Sequence, residues 1–134
     1  MSDDDPISLS KIQLFLKWSL LMKRFPSIKK NTEFRDIYDT GKPRANKYLV
    51  MYVKKNGLDH SRIGISVSKK IGNSVVRHRM TRLLREVFRL HTSEIRQGND
   101  FVVVVRKTAA GLSYRETEKA FLHLLQLHGL RTGS

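Results

Sequence analysis

The stretch NSVVRHRMTRLLREVFRLH, residues 73–91, sets five arginines and two histidines among regularly spaced Val, Leu and Met. On a helical wheel of ~100° per residue, Val76, Met80, Leu83, Leu84, Val87 and Leu90 fall inside an arc of roughly 120°, the width of a core-facing stripe. Arg77, His78, Arg79, Arg82, Arg85 and Arg89 take most of the remaining circumference. The spacing predicts an amphipathic helix, capped by Asn73 or Ser74. A merely solvated face mixes signs and gains from acid–base pairs one turn apart. Here Glu86 stands alone against five arginines, so the repulsion on that face calls for an anionic partner.

The whole chain carries the same bias. With 26 Lys and Arg against 12 Asp and Glu, its net charge is +14 in 134 residues, the footprint of a polyanion binder. Nucleic acid is the first candidate. The length allows one domain, and 40% apolar residues are enough for one ordinary core. The absence of cysteine excludes a disulfide framework, a thiolate metal site and a cysteine nucleophile, and fits a cytoplasmic location. The acids Glu33, Asp36, Asp39, Asp59, Glu86, Glu94, Asp100, Glu116 and Glu118 are scattered. A nuclease site needs clustered carboxylates for metal ions or a poised acid–base pair, so no catalytic residue and no protein-borne metal site is expected.

Residues 1–21 read as an N-terminal extension and residues 22–134 as the domain. The extension is the acidic MSDDDP followed by ISLSKIQLFLKWSLLM, an apolar run interrupted by Lys11 and Lys17. It is too short and too broken for the ~20 apolar residues of a membrane span, and no membrane association is expected. Its start is acidic where a signal peptide is basic. An upstream start, a cloning remnant and a genuine docking helix all remain open. If it docks, the expected acceptor is the apolar cleft described below.

Beyond Met22, residues 31–41 (NTEFRDIYDTG) read as a helix capped by Asn31 or Thr32 and stopped by Gly41. KYLVMYVKKNG is a strand ending at an Asn56-Gly57 turn, and RIGISVS (residues 62–68) is the next strand. After the arginine helix, FVVVVR is a continuous apolar run of the kind buried on both faces. SYRETEKAFLHLLQLHG opens with a Ser113/Glu116 capping box and closes on Gly129. The order read from these residues is α-β-β-α-β-α.

RHRMTRLLRE (residues 77–86) resembles the arginine-rich signature of the bacterial ribonuclease P protein family, usually Arg-Asn-Arg-x-Lys-Arg-x-x-Arg. The resemblance extends through GISVSKKIGNSVV, which leads into that signature, through IKKNTEFRDIY and GKPRANKYLVMYV before it, and through DFVVVVRKTAAGLSYRETEKAFLHLL after it. It implies an α/β (α+β) two-layer sandwich of order α-β-β-(β)-α-β-α, with a ribosomal-protein-like topology and a left-handed β-α-β crossover, against the usual right-handed preference. It further implies a subunit of an endoribonuclease that removes the 5′ leader of precursor tRNA. Catalysis would be carried by the RNA subunit, with Mg²⁺ bound chiefly by that RNA, and no protein partner would be required.

On this resemblance, Arg77, His78, Arg79, Arg82, Arg85 and Arg89 would face the RNA subunit. Guanidinium suits that task because it stays charged and grips phosphate through a planar fork. A cleft between the first helix and the sheet would take the single-stranded leader, with Phe34, Tyr38 and Tyr52 as stacking platforms. Lys30, Arg44, Asn46, Ser68, Lys69 and Lys70 would be their polar neighbours. Strand alternation puts Tyr48 on the same face as Tyr52, although its role stays open. His78 and Thr81 depart from the usual Asn and Lys. The competing reading is a basic structural or chaperone-type RNA-binding protein, such as a ribosomal protein. A helix-turn-helix DNA binder is disfavoured because the arginine helix lies between strands.

Overall fold

A computed structural model describes residues 27–132. The extension at residues 1–21 and its docking lie outside them. The elements are α1 (Asn31–Thr40), β1 (Lys42–Ala45), β2 (Leu49–Lys55), β3 (Arg62–Ser66), α2 (Ser74–Leu90), β4 (Asn99–Val105) and α3 (Tyr114–Leu127). The strands form one sheet in the order β1-β2-β4-β3. β2 pairs antiparallel with both β1 and β4, while β3 pairs parallel with β4. The β3-α2-β4 segment is thus the β-α-β unit of the fold.

β4 is central because its residues bury both faces, as the unbroken run of valines predicts. Phe101, Val103 and Val105 join Leu49 and Met51 in the main core, which α2 and α3 cover with Met80, Leu84, Val87, Phe121 and Leu124. Val102 points the other way, into a smaller cluster with Ile28 and Ile37. α1 therefore lies across the opposite face of the sheet from α2 and α3. Among the described residues no helix is long and apolar enough to cross a membrane.

Both helix starts around the core follow from local chemistry. The Asn73 side chain accepts from the Val76 N–H at 3.0 Å. Ser113 and Glu116 form the reciprocal capping box, and Gly129 follows α3 at φ +70°. α1 differs from expectation: its N-cap is Lys30 and no side chain caps it. Gly41 does end α1, yet with φ −78°, so its value is space: a Cβ would run into the Ile37 carbonyl oxygen that accepts its N–H.

Two further sequence expectations need correction. β1 is absent from the strand order read from the residues alone, because KPRA is fully exposed and contains Pro43, a residue tolerated only at a sheet edge. The sequence leaves strand pairing open, and in the sheet β2 and β3, although consecutive, do not pair, since β4 lies between them. The apolar stripe of α2 is also rotated from the predicted arc. Phe88 is buried at 3% exposure and Leu90 stands out at 53%. Phe88 meets Phe101 and Phe121 edge-on at ring-centre distances of 6.0 and 6.5 Å, an arrangement that sets the helix's rotation against α3.

The C-terminal end of α2 is tied down by charge. His91 Nδ1 meets Glu94 at 2.5 Å and Nε2 meets Glu118 of α3 at 2.7 Å, while Arg131 bonds Glu94 from the chain's far end. Burial opposes the imidazolium, but hydrogen bonds to Glu118 and Glu94 outweigh it and raise the His91 pKa above 6.5. A raised folded-state pKa gives stability that is complete below the unfolded value and lost as pH rises through the folded one. The stability difference between the natural chain and His91→Asn is therefore expected to be largest near about pH 6 and to shrink toward about pH 9. Urea unfolding at both pH values checks this, and a difference that grows with pH contradicts it.

Candidate nucleic-acid interface

Two surfaces carry the residues that the sequence singles out. The first is the outer side of α2. His78, Arg79 and Arg82 are exposed there, and Arg77, Arg85 and Arg89 are half-buried. Arg89 pairs with Glu86 at 2.6 Å, so the lone acid of the helix is already taken. Arg77 turns to the helix flank, where its Nε donates to the Gly72 carbonyl at 3.2 Å. Among the described residues no ion pair engages Arg77, Arg79, Arg82 or Arg85. A helix face with this many cations and a single acid, already paired with Arg89, is an electrostatic site for phosphate.

The second surface is the side of the sheet that α1 crosses. Tyr38 and Tyr52 meet edge-on at 5.0 Å between ring centres, and Phe34 lies 6.4 Å from Tyr38. Phe34 is half-buried against Ile28, Ile37 and Val102. It fits only because residue 64 is glycine: a Cβ on Gly64 would lie 2.6 Å from the Phe34 ring. Lys30 is exposed at the start of α1, and Ser68, Lys69 and Lys70 are exposed just beyond β3. The aromatic trio leaves partly open rings, with Tyr38 the most exposed.

Arg44, Asn46 and Tyr48 are not brought to this trio. Arg44 pairs in register with Met51, so alternation puts it on the α3 side of the sheet. Asn46 is used in the turn before β2: its Oδ1 accepts from the Tyr48 and Leu49 N–H groups, and its Nδ2 donates to the Ala120 carbonyl. Tyr48 precedes β2, so strand alternation does not reach it. It packs on the main core instead of sharing a face with Tyr52, and Lys47 sits over its ring at 5.6 Å.

α1 is held over the sheet by a charge network that sequence reading missed. Asp100, buried at the start of β4, accepts from Arg62 Nε at 2.9 Å and Nη2 at 2.6 Å, and from Asn56 at 2.8 Å. The same Arg62 reaches Glu33 of α1 at 3.1 Å. The hydrogen bond to Asp100 leads the effects that raise the Arg62 pKa, against the cost of its burial, so the guanidinium stays charged. A second tie, Lys54 to Asp36 at 2.6 Å, is more exposed. The scattered appearance of Glu33, Arg62 and Asp100 along the chain hides this convergence, whereas Gly64 carried a signal: a glycine inside a strand often marks close approach of another group.

These surfaces can be set beside known proteins. The ribonuclease P family model matches residues 22–128. The ribonuclease P protein component of Lachnoclostridium phytofermentans is 51% identical over 108 residues, spanning 81% of this chain and 93% of that protein. The chain belongs to the ribonuclease P protein family. The component from Alkaliphilus oremlandii is 45% identical over 105 residues, with 92% of its length covered. Among solved structures, the Staphylococcus aureus ribonuclease P protein superposes with a TM-score of 0.74 at 38% identity, covering 78% of this chain and 96% of that one. The α/β architecture is thus that of bacterial ribonuclease P proteins.

The family signature departs at two positions in this chain, and the structure separates them. Thr81 is half-buried and donates its hydroxyl back to the Arg77 carbonyl at 3.0 Å. It has no long arm to extend toward a partner. His78 is exposed beside Arg79 and Arg82 and keeps a polar group on the outer face.

Proposed function

We propose that this chain, a ribonuclease P protein component acting in tRNA 5′ maturation, presents α2 to the RNA subunit and the α1 side of its sheet to the leader of precursor tRNA. As a member of this family it is a subunit of an endoribonuclease holoenzyme. A purely structural or chaperone-type RNA-binding role is not favoured by the family match. The observation that carries the division of labour is physical. One helix face concentrates cations around a single acid already paired with Arg89, while a separate face offers half-open aromatic rings, with Lys30 exposed at the start of the helix that carries two of them. Phosphate-dense folded RNA suits the first, and unstacked single-stranded bases suit the second.

In this reading the RNA subunit performs phosphodiester hydrolysis, Mg²⁺ is bound chiefly by RNA, and the holoenzyme works in the cytoplasm. Among the described residues no three His, Asp or Glu side chains gather to hold an ion. In an acid-lined hollow between Thr32, Glu33, Asp36, Arg62 and Asp100, each carboxylate is already engaged by Arg62 or Lys54. The protein's work in this reading is binding and orientation.

The leader-face assignment is tested by Phe34→Ala. Losing one base-stacking platform is expected to weaken holoenzyme binding to precursor tRNA by about 1–3 kcal/mol while leaving leaderless tRNA nearly unaffected. Equal losses on both tRNAs, or none on either, would return Phe34 to the role of a core side chain that seats α1 on Gly64.

A further inference from the structure

A hollow on the α3 side of the sheet belongs to neither surface described above. Asn46, Lys47 and Tyr48, from the turn before β2, and Glu116, Lys119 and His123, from α3, line a volume of about 390 Å³. That lies within the roughly 300–1,000 Å³ range of small-molecule sites. The half-buried Tyr48 rests on the main core and gives the hollow an apolar wall, while Lys47 and Lys119 are exposed on its rim. Lys47 Nζ stands 5.6 Å from the centre of the Tyr48 ring, near the ~6 Å outer limit of a cation–ring contact, so the ammonium is free to take an anion.

The polar groups of this hollow are held in place. Asn46 Oδ1 accepts from the Tyr48 and Leu49 N–H groups, which fixes the orientation of its amide. Its Nδ2 then donates to the Ala120 carbonyl at 3.0 Å and to His123 Nδ1 at 3.2 Å. His123 Nδ1 therefore accepts, which leaves the ring proton on Nε2 as a donor for a ligand. Arg106 and Thr108 brace the turn from outside by donating to the Asn46 and Lys47 carbonyls.

One acid stands among these groups. Glu116 is committed to the start of α3, where its carboxylate accepts from the Ser113 N–H at 2.9 Å. Against it stand Lys47 and Lys119, with Arg106 beside them. Lys42 and Arg44 pair in register with Val53 and Met51, so alternation brings both to this side of the sheet and extends the cations along β1. A phosphate alone would leave the Tyr48 ring unused, and an apolar side chain would leave the cations unused. An unstacked nucleotide uses both.

We infer that this hollow is a third RNA-contact site, holding one unpaired nucleotide with its base on Tyr48, its phosphate on Lys47 and Lys119, and a hydrogen bond from His123 Nε2. The inference rests on the reading of the chain as an RNA-binding subunit, but not on which RNA meets α2 or the α1 side. The nucleotide belongs either to the RNA subunit or to precursor tRNA, and the same chemistry receives it from both.

Two measurements test the site. In the natural full-length chain, the His123 C2–H resonance, identified by its loss in His123→Gln, is expected to shift and saturate with millimolar adenosine monophosphate. Inorganic phosphate at the same concentration should barely move it. No shift with the nucleotide, or an equal shift with phosphate, overturns the site. The second measurement compares Tyr48→Leu, which keeps apolar packing without the ring, with Tyr48→Phe, which keeps the ring. Tyr48→Leu is expected to weaken binding roughly 5- to 150-fold, and Tyr48→Phe to bind as the natural chain does. Three affinities locate the nucleotide: protein for RNA subunit, holoenzyme for precursor tRNA, and holoenzyme for leaderless tRNA. A loss in the first assigns it to the RNA subunit, a loss in the second alone to the leader, and a loss in the second and third to the tRNA body. Natural affinity of Tyr48→Leu in all three, or equal losses in both variants, overturns the proposal. If replacing Arg79, Arg82 and Arg85 weakens the RNA complex while Tyr48→Leu does not, this site fails and the reading of α2 stands.

Discussion

Replacing Arg79, Arg82 and Arg85 together with alanine is expected to weaken binding to the RNA subunit by about 10²- to 10³-fold at 0.1 M salt, with little loss of folding stability. Each phosphate contact releases counterions and contributes ~0.7–0.9 to the log–log salt slope, so three lost contacts remove roughly two to nearly three decades at that salt. The slope itself should flatten by about two to three. These arginines are the right choice because none is held in an ion pair among the described residues and none belongs to the buried side of α2. Arg77 is left in place because its bond to Gly72 helps shape the start of the helix. The check is affinity measured across salt concentrations alongside thermal unfolding of the free protein. A weakened complex with an unchanged salt slope would mean that the arginines act other than through phosphate.

The second large effect lies beneath the leader face. Arg62→Ala is expected to destabilise the fold by about 3 kcal/mol, because it strands the buried Asp100 carboxylate without its guanidinium partner. Asn56 alone then supports that carboxylate. Asp100→Asn should cost less, since a neutral amide leaves no uncompensated charge in the sheet. Glu33 also loses its partner in Arg62→Ala, so α1 loosens and leader-dependent binding falls even though Phe34, Tyr38 and Tyr52 are intact. Denaturant unfolding of both variants decides the matter. A loss below about 0.5 kcal/mol for Arg62→Ala would rank the pair with ordinary surface bridges.

The difference between what local pattern reveals and what it hides is visible residue by residue. α2, α3 and β4 were legible because their signals are local: the Asn73 cap, the Ser113/Glu116 box and the run of valines need no knowledge of distant residues. The pairing of β2 with β4 was not, because nothing in either segment records that β4 returns between β2 and β3. A helical wheel found the buried side of α2 but misjudged its rotation, because Phe88 is selected by Phe101 and Phe121 from other elements. The same limit governs the leader face. Phe34 and Tyr38 share a helix face by spacing, and Tyr52 joins them from β2. Arg44 and Asn46, named on the family resemblance, lie away from the trio because register with Met51 puts Arg44 on the other side of the sheet and a turn removes Asn46 from the alternation altogether. The network of Glu33, Arg62 and Asp100 was beyond reach for the opposite reason: each residue is ordinary alone and meaningful only where three elements converge.

Whether this chain assists an RNA that does the chemistry is decided by reconstitution with the cognate RNA subunit at low Mg²⁺, scored by cleavage of precursor tRNA at the mature 5′ end. Efficient cleavage is expected when RNA subunit and protein are combined, weak cleavage from the RNA subunit without the protein, and none from the protein without the RNA. Specific cleavage at the mature 5′ end by RNA-free protein, or no stimulation of the RNA subunit by added protein, would contradict it.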